Sequence, residues 1–195
     1  ADEAGVSQVR QAHSVYYLER LAGYEPHLKS AQRSQTLSEM DAEINDLQAA
    51  WRWACRQQDI ARLRRGLPGM GLYYEMRVRY AEGIQACLAG LDSTEDDREQ
   101  EPEAAVLRAR LLLWQANFRV LSGELETARE LRRQAGELLD RLEAQGIEAR
   151  RPRAMYWQAE GEAQVELKLK LECYQKGLAL YQALGDGCRQ ASMRG

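Results

Sequence analysis

Asp92, Thr94, Asp96 and Glu103 stand at the first, third, fifth and twelfth positions of a calcium-loop spacing, between two helical stretches. The sixth position, where such a loop needs Gly for its sharp turn, is Asp97. The eighth, normally an apolar tether, is Glu99. The stretch is therefore read as a solvated acidic connector. His13 and His27 are the only histidines, fourteen residues apart on one helical stretch with no second ligand pair nearby, which is not a zinc spacing. Gly69-Met70-Gly71 lacks a third glycine and a preceding strand, and no G-x-x-x-x-G-K-[ST] occurs, so no phosphate cradle is legible. Glu124 with Glu126, and Glu160 with Glu162, sit two apart on helices, where they cannot face each other. They read as solvated faces. Arg62, Arg64, Arg65, Arg77 and Arg79 form one basic cluster, and Arg129, Arg132 and Arg133 another. Both are interleaved with acids, which favours surface ion pairing over a nucleic-acid footprint. No catalytic constellation emerges, and the chain is read as non-enzymatic, with no cofactor and no metal.

The elements that carry these residues are helical. Ala, Leu, Glu, Arg and Gln dominate the 195 residues, and β-branched residues are scarce. Hydrophobic residues make up 45% and charged residues 29%, enough to build a core and too apolar for a disordered chain. The net charge is −3. No apolar run approaches the ~18 residues of a membrane span. Cys55, Cys87, Cys173 and Cys188 have no C-x-x-C spacing and read as small apolar residues in helices of a cytoplasmic protein. The first residues carry no signal-peptide pattern and no Met, so the chain is expected to be a piece of a longer protein.

Periodicity predicts helices over 3–29, 31–57, 60–77 and 79–91, then a hairpin of 104–121 and 125–144, then helices over 152–166 and 168–184. In the second of these, Leu37, Met40, Ile44, Leu47, Ala50, Trp51 and Ala54 form one stripe. In the first, Val6, Val9, Ala12, Tyr16, Tyr17, Leu21 and Tyr24 are expected to face inward. Leu125, Ala128, Leu131, Ala135, Leu138 and Leu142 make the stripe of the sixth, and Leu171, Tyr174, Leu178, Tyr181 and Leu184 that of the eighth. Asp59 suits a helix N-cap, Pro102 a first helical turn, and Pro68-Gly69 a kink. The hairpin's first helix is apolar nearly all round and needs cover on more than one side, which is the logic of stacked helix pairs. Trp51, Trp53, Trp114 and Trp157 are read as core. Residues 188–193 are expected to begin a further helix.

The central hairpin resembles a tetratricopeptide repeat. With Ala128 at the repeat's twentieth position, Ala116 falls at the small eighth position, Gly123 at the turn and Ala135 at the twenty-seventh. Leu67, Met70, Gly71 and Tyr74 give a looser second match, which departs at Val78, where the turn Gly is expected. His13-Ser14-Val15-Tyr16-Tyr17-Leu18, the stretch Glu43-Ile44-Asn45-Asp46-Leu47-Gln48-Ala49-Ala50-Trp51-Arg52-Trp53-Ala54, and Tyr80-Ala81-Glu82-Gly83 resemble the repeat region of bacterial signal-transduction ATPases with numerous domains (STAND ATPases). Where that pattern usually reads Asp-Asn-Leu, this chain has Asn45-Asp46-Leu47.

The resemblance implies an all-α, right-handed superhelix of antiparallel helix pairs, about eight helices in all. It would be one continuous solenoid, with a helix pair in 1–58 and further pairs at 59–92, 102–146 and 150–186 within 59–195. It also implies a sensor module whose concave groove binds a protein or peptide segment or a small effector. Such binding would control autoinhibition and oligomerisation of an attached nucleotide-binding module. By the repeat's register the groove residues would be Arg110, Leu113 and Asn117, with Leu72 and Glu75 from the preceding pair. No nucleic-acid or membrane partner is expected. The competing reading is a constitutive protein–protein scaffold without a switch.

Overall fold

The structure, a computed structural model, describes residues 3–94 and 101–186, with side chains from residue 8. The described residues form eight α-helices: α1 (Glu3–Leu28), α2 (Arg33–Arg56), α3 (Ile60–Met76), α4 (Tyr80–Asp92), α5 (Pro102–Leu121), α6 (Leu125–Ala144), α7 (Arg150–Ala163) and α8 (Leu167–Ala183). No strand occurs among them. The helix ends expected from periodicity lie within three residues of those observed. The acidic stretch 95–100 and the helix expected at 188–193 lie outside the described residues. So do Asp96, Asp97 and Glu99 of the calcium-loop spacing, and Cys188.

One turn motif recurs along the chain and explains where the helices stop. Gln58, Val78, Gly123, Gly146 and Gly185 each adopt a left-handed backbone, with φ between 52° and 82°. The next residue's N–H then donates back across the last turn: Asp59 to Ala54, Arg79 to Tyr74, Glu124 to Arg119, Ile147 to Leu142 and Asp186 to Tyr181, at 2.8–3.0 Å. This is the Schellman cap, which satisfies carbonyls that a helix end leaves unpaired. It recurs after α2, α3, α5, α6 and α8. Asp59 also accepts from the Arg62 N–H at 3.2 Å, the N-cap expected of it. Pro102 opens α5 at its first position.

The chain divides into two compact units, residues 1–99 and 100–195. The division falls in the acidic connector, and within the first unit α1 packs on both α2 and α3. In the first unit α2 buries the stripe expected of it. The inward face of α1 differs from expectation. Ser14, Leu18, Leu21, Tyr24 and Leu28 are buried at helical spacing, whereas Val9 and Tyr16 are exposed. Ser14 satisfies its hydroxyl on the Ala50 carbonyl, 3.1 Å away, so a polar residue takes a core position without cost to the hydrogen-bond balance. Helix α3 runs through Pro68. Its neighbour Gly69 answers to packing: a Cβ there would overlap the Leu21 carbonyl oxygen of α1, so only Gly permits this crossing.

In the second unit α5 packs on α6 and α7, α6 on α7, and α7 on α8. Ala116, Ala128 and Ala135 are all buried, as crossing points of closely packed helices require. Two buried arginines tie α6 to α7. Arg132 donates to Glu160 at 3.1 Å, and Arg153 reaches Glu143 at 2.7 Å and Asp140 at 2.6 Å. Glu160 is therefore an interhelical partner and not part of a solvated face. Leu125, at the start of the α6 stripe, is exposed. So is Leu171 of α8, where Gly177 and Tyr181 are the buried positions. Helix α8 packs on α7 alone among the described helices, so one side of it carries most of the burial.

Candidate functional site

A cavity of about 470 Å³ opens in the first unit between α2 and α4, over α3. Its floor is apolar and nearly inaccessible: Trp51 of α2, with Met70 and Tyr74 of α3. Ala81, Ala86 and Ala89 of α4 make one wall, and their short side chains leave the space open. Gln48, Arg52, Glu82 and Gln85 supply the polar rim.

The helical period places these groups. Gln48, Trp51 and Arg52 lie three and four apart on α2, so they share a face. Ala81, Gln85 and Ala89 do the same on α4. Hydrogen bonds lock the two faces together. Gln48 Nε2 donates to Tyr74 Oη at 3.1 Å and to Glu82 Oε2 at 2.8 Å, joining α2 to α3 and α4. Trp51 Nε1 donates to the Ala86 carbonyl at 2.9 Å. Glu82 is gripped from its other side by Arg79, whose Nε and Nη2 each meet one carboxylate oxygen at 2.6 Å. Arg79 also donates to Tyr73 Oη at 2.9 Å, and Tyr73 donates to Asp41 Oδ1 at 3.0 Å. Asp41 accepts the Arg77 guanidinium as well. A chain of polar contacts thus runs from Asp41 to Gln48 and reaches the cavity rim at Glu82 and Gln48. Val78, in its left-handed turn, sits between the two arginines.

These contacts set the protonation chemistry. Hydrogen bonds from Arg79, aided by Gln48, hold the Glu82 carboxyl below the usual carboxylate range. Burial pushes the Tyr74 phenol up to about 12. The first is a poor base at neutral pH and the second a poor acid.

A second cavity of about 390 Å³ lies at the α1–α2 end of the same unit, beside Arg20, Tyr24, His27 and Gln32. Arg20 there is saturated by Tyr24, Tyr16 and Glu43, and the lining is mostly polar.

The residues expected to line a groove are divided between the two units. Leu72 is buried and Glu75 half-buried in the first unit. In the second, Arg110 and Leu113 are buried and Asn117 is half-buried. None of the five lines either cavity. Arg110 and Leu113 lie on a helix that is covered nearly all round. Of the tryptophans, Trp51 and Trp114 are buried. Trp53 and Trp157 are half-buried and carry Arg10, Arg56 and Lys176 over their rings. Thr94, from the calcium-loop spacing, turns its hydroxyl onto the Leu91 carbonyl at 2.8 Å. The basic clusters are ion-paired: Arg65 with Glu19, Arg77 with Asp41, Arg129 with Glu126, and Arg133 with Glu130 and Glu137. Gln48, Trp51 and Glu82 stand within the stretches already singled out in the sequence. Nothing local marked them as partners, because Gln48 and Glu82 are 34 residues apart.

No family model, no curated protein and no solved structure matches this chain.

Proposed function

We propose that this chain is a non-enzymatic binding module whose receptor site is the α2–α4 cavity. Its occupant is a small effector or a side chain presented by a peptide segment. The observation that carries this reading is the combination at one place of an apolar floor, a polar rim with Gln48 hydrogen-bonded to Glu82, and a volume in the range of small-ligand sites, ~300–1,000 Å³. Gln48 and Glu82 are pre-ordered by their own contacts, so little of their freedom remains to be lost on binding. The stretches around Gln48 and Glu82 that resemble the repeat region of signal-transduction ATPases meet at this cavity, which supports placing the sensing function here.

In that setting the module is the sensor of a larger signalling ATPase. The ligand acts by differential affinity: it shifts the protein toward the active arrangement only as far as it binds that arrangement better. A constitutive scaffold makes the opposite prediction, since its partner affinity is the same for the isolated module and the whole protein.

The test is a thermal-shift screen of the purified chain against small metabolites and short peptides, run in parallel on Ala86→Leu, which fills the cavity. A ligand at one hundred times its Kd stabilises the wild type by about 2.7 kcal/mol, and Ala86→Leu should lose that shift. Stabilisation of equal size in both proteins would remove the cavity from consideration.

A further inference from the structure

We infer that the α2–α4 cavity selects small amphiphiles bearing an anionic head group. The inference rests on the cavity being the binding site and specifies its ligand class. The charges around the opening decide it. Glu82 is matched oxygen for nitrogen by Arg79 and takes a further hydrogen bond from Gln48, so that pair is neutral as a unit. Arg52, on the rim contributed by α2, is exposed and makes no hydrogen bond or ion pair among the described residues. The opening therefore presents one uncompensated positive charge beside an apolar interior.

Geometry gives the same polarity along the cavity. Arg52 lies one helical turn from Gln48 and lines the same cavity as Trp51, so its aliphatic stem borders the opening above the aromatic floor. A ligand whose apolar body rests on Trp51, Met70 and the alanines can place a carboxylate, sulfonate or phosphate within reach of Arg52. A planar guanidinium is well matched to such oxyanions. A cationic amphiphile would meet the same Arg52, and it would find Glu82 already saturated.

The experiment titrates the purified chain with two fluorescent probes of similar body. One is anionic, 8-anilinonaphthalene-1-sulfonate, and the other neutral, N-phenyl-1-naphthylamine. Far-UV circular dichroism checks each variant. Arg52→Gln should weaken the anionic probe about five- to tenfold and leave the neutral probe unchanged, and Arg52→Lys should restore most of the loss. The Arg52 effect should shrink with added salt, as an exposed charge requires. Ala89→Phe, which closes the cavity, should abolish both titrations, and Ala81→Phe serves as an independent closing variant should Ala89→Phe not fold. If Arg52→Gln leaves the anionic probe unaffected while the closing variants abolish binding, anion selection is wrong and the cavity stands. If the closing variants leave both titrations intact, the cavity reading falls and the inference with it.

Discussion

Val78 is a β-branched residue at φ 57°, a region that costs L-residues ~1–2 kcal/mol and Gly almost nothing. It is exposed, so little packing is lost on its replacement. Val78→Gly should therefore raise stability by about 1 kcal/mol, seen as a higher urea midpoint at unchanged slope. An unchanged or lowered midpoint would show that the turn is not strained in solution. Tyr74 supplies a prediction in pH. Its pKa rises from 10.0 to about 12 in the folded chain, so the folded state holds its proton more tightly than the unfolded state. The corresponding stability is fully present below pH 10 and is lost as pH climbs through 12. Tyr74→Phe should flatten that part of the alkaline stability profile, measured by urea melts at pH 9 to 12. Glu82 has the opposite sign. Its lowered pKa contributes stability above about 4.5 that disappears on acidification. Being substantially exposed, the Arg79–Glu82 pair is worth only about 1 kcal/mol.

Helix–helix approach is the issue at the scale of elements. Gly69 lets α3 cross α1 against the Leu21 carbonyl, and backbone cannot step aside as a side chain can. Gly69→Ala should cost about 2–3 kcal/mol. Gly23, on the exposed side of α1, has open space where its Cβ would be, so Gly23→Ala should stabilise by about 0.5–1 kcal/mol through helix propensity. Thermal melts of the two variants should therefore move in opposite directions. A similar fall for both would mean that backbone freedom, not packing, governs these glycines. The two positions look alike in the chain, and only the crossing separates them. The misread face of α1 has a related cause: Val9, Ala12 and Tyr16 make a second partly apolar stripe beside that of Leu18 and Leu21, so composition left two faces open and packing against α2 and α3 chose between them.

The whole molecule consists of two compact units. The first has its own core, built from Leu18, Leu21, Met40, Leu47, Trp51, Leu63, Leu67 and Tyr73. It also contains every residue of the α2–α4 cavity. Residues 1–99 expressed alone should remain helical, melt cooperatively and retain the probe binding of the full chain. A fragment that folds but binds nothing would mean that residues 100–195 contribute to the site.

Much of the helical architecture was determined by sequence alone, since a 3.6-residue period, a capping Asp59, a Pro at a first turn and three turn glycines act through neighbours a few residues away. The stripe of α2 was legible for the same reason. The tertiary structure decided what depends on distant pairs. It brought Gln48 to Glu82 and Trp51 to Ala86, and it buried Arg110, Leu113 and Leu72, which a repeat register alone had assigned to a groove. It also turned Val78 into a left-handed residue where a glycine was expected. A helix's period states which residues share a face. Which faces meet, and where small side chains leave a space between them, is settled only when the helices pack.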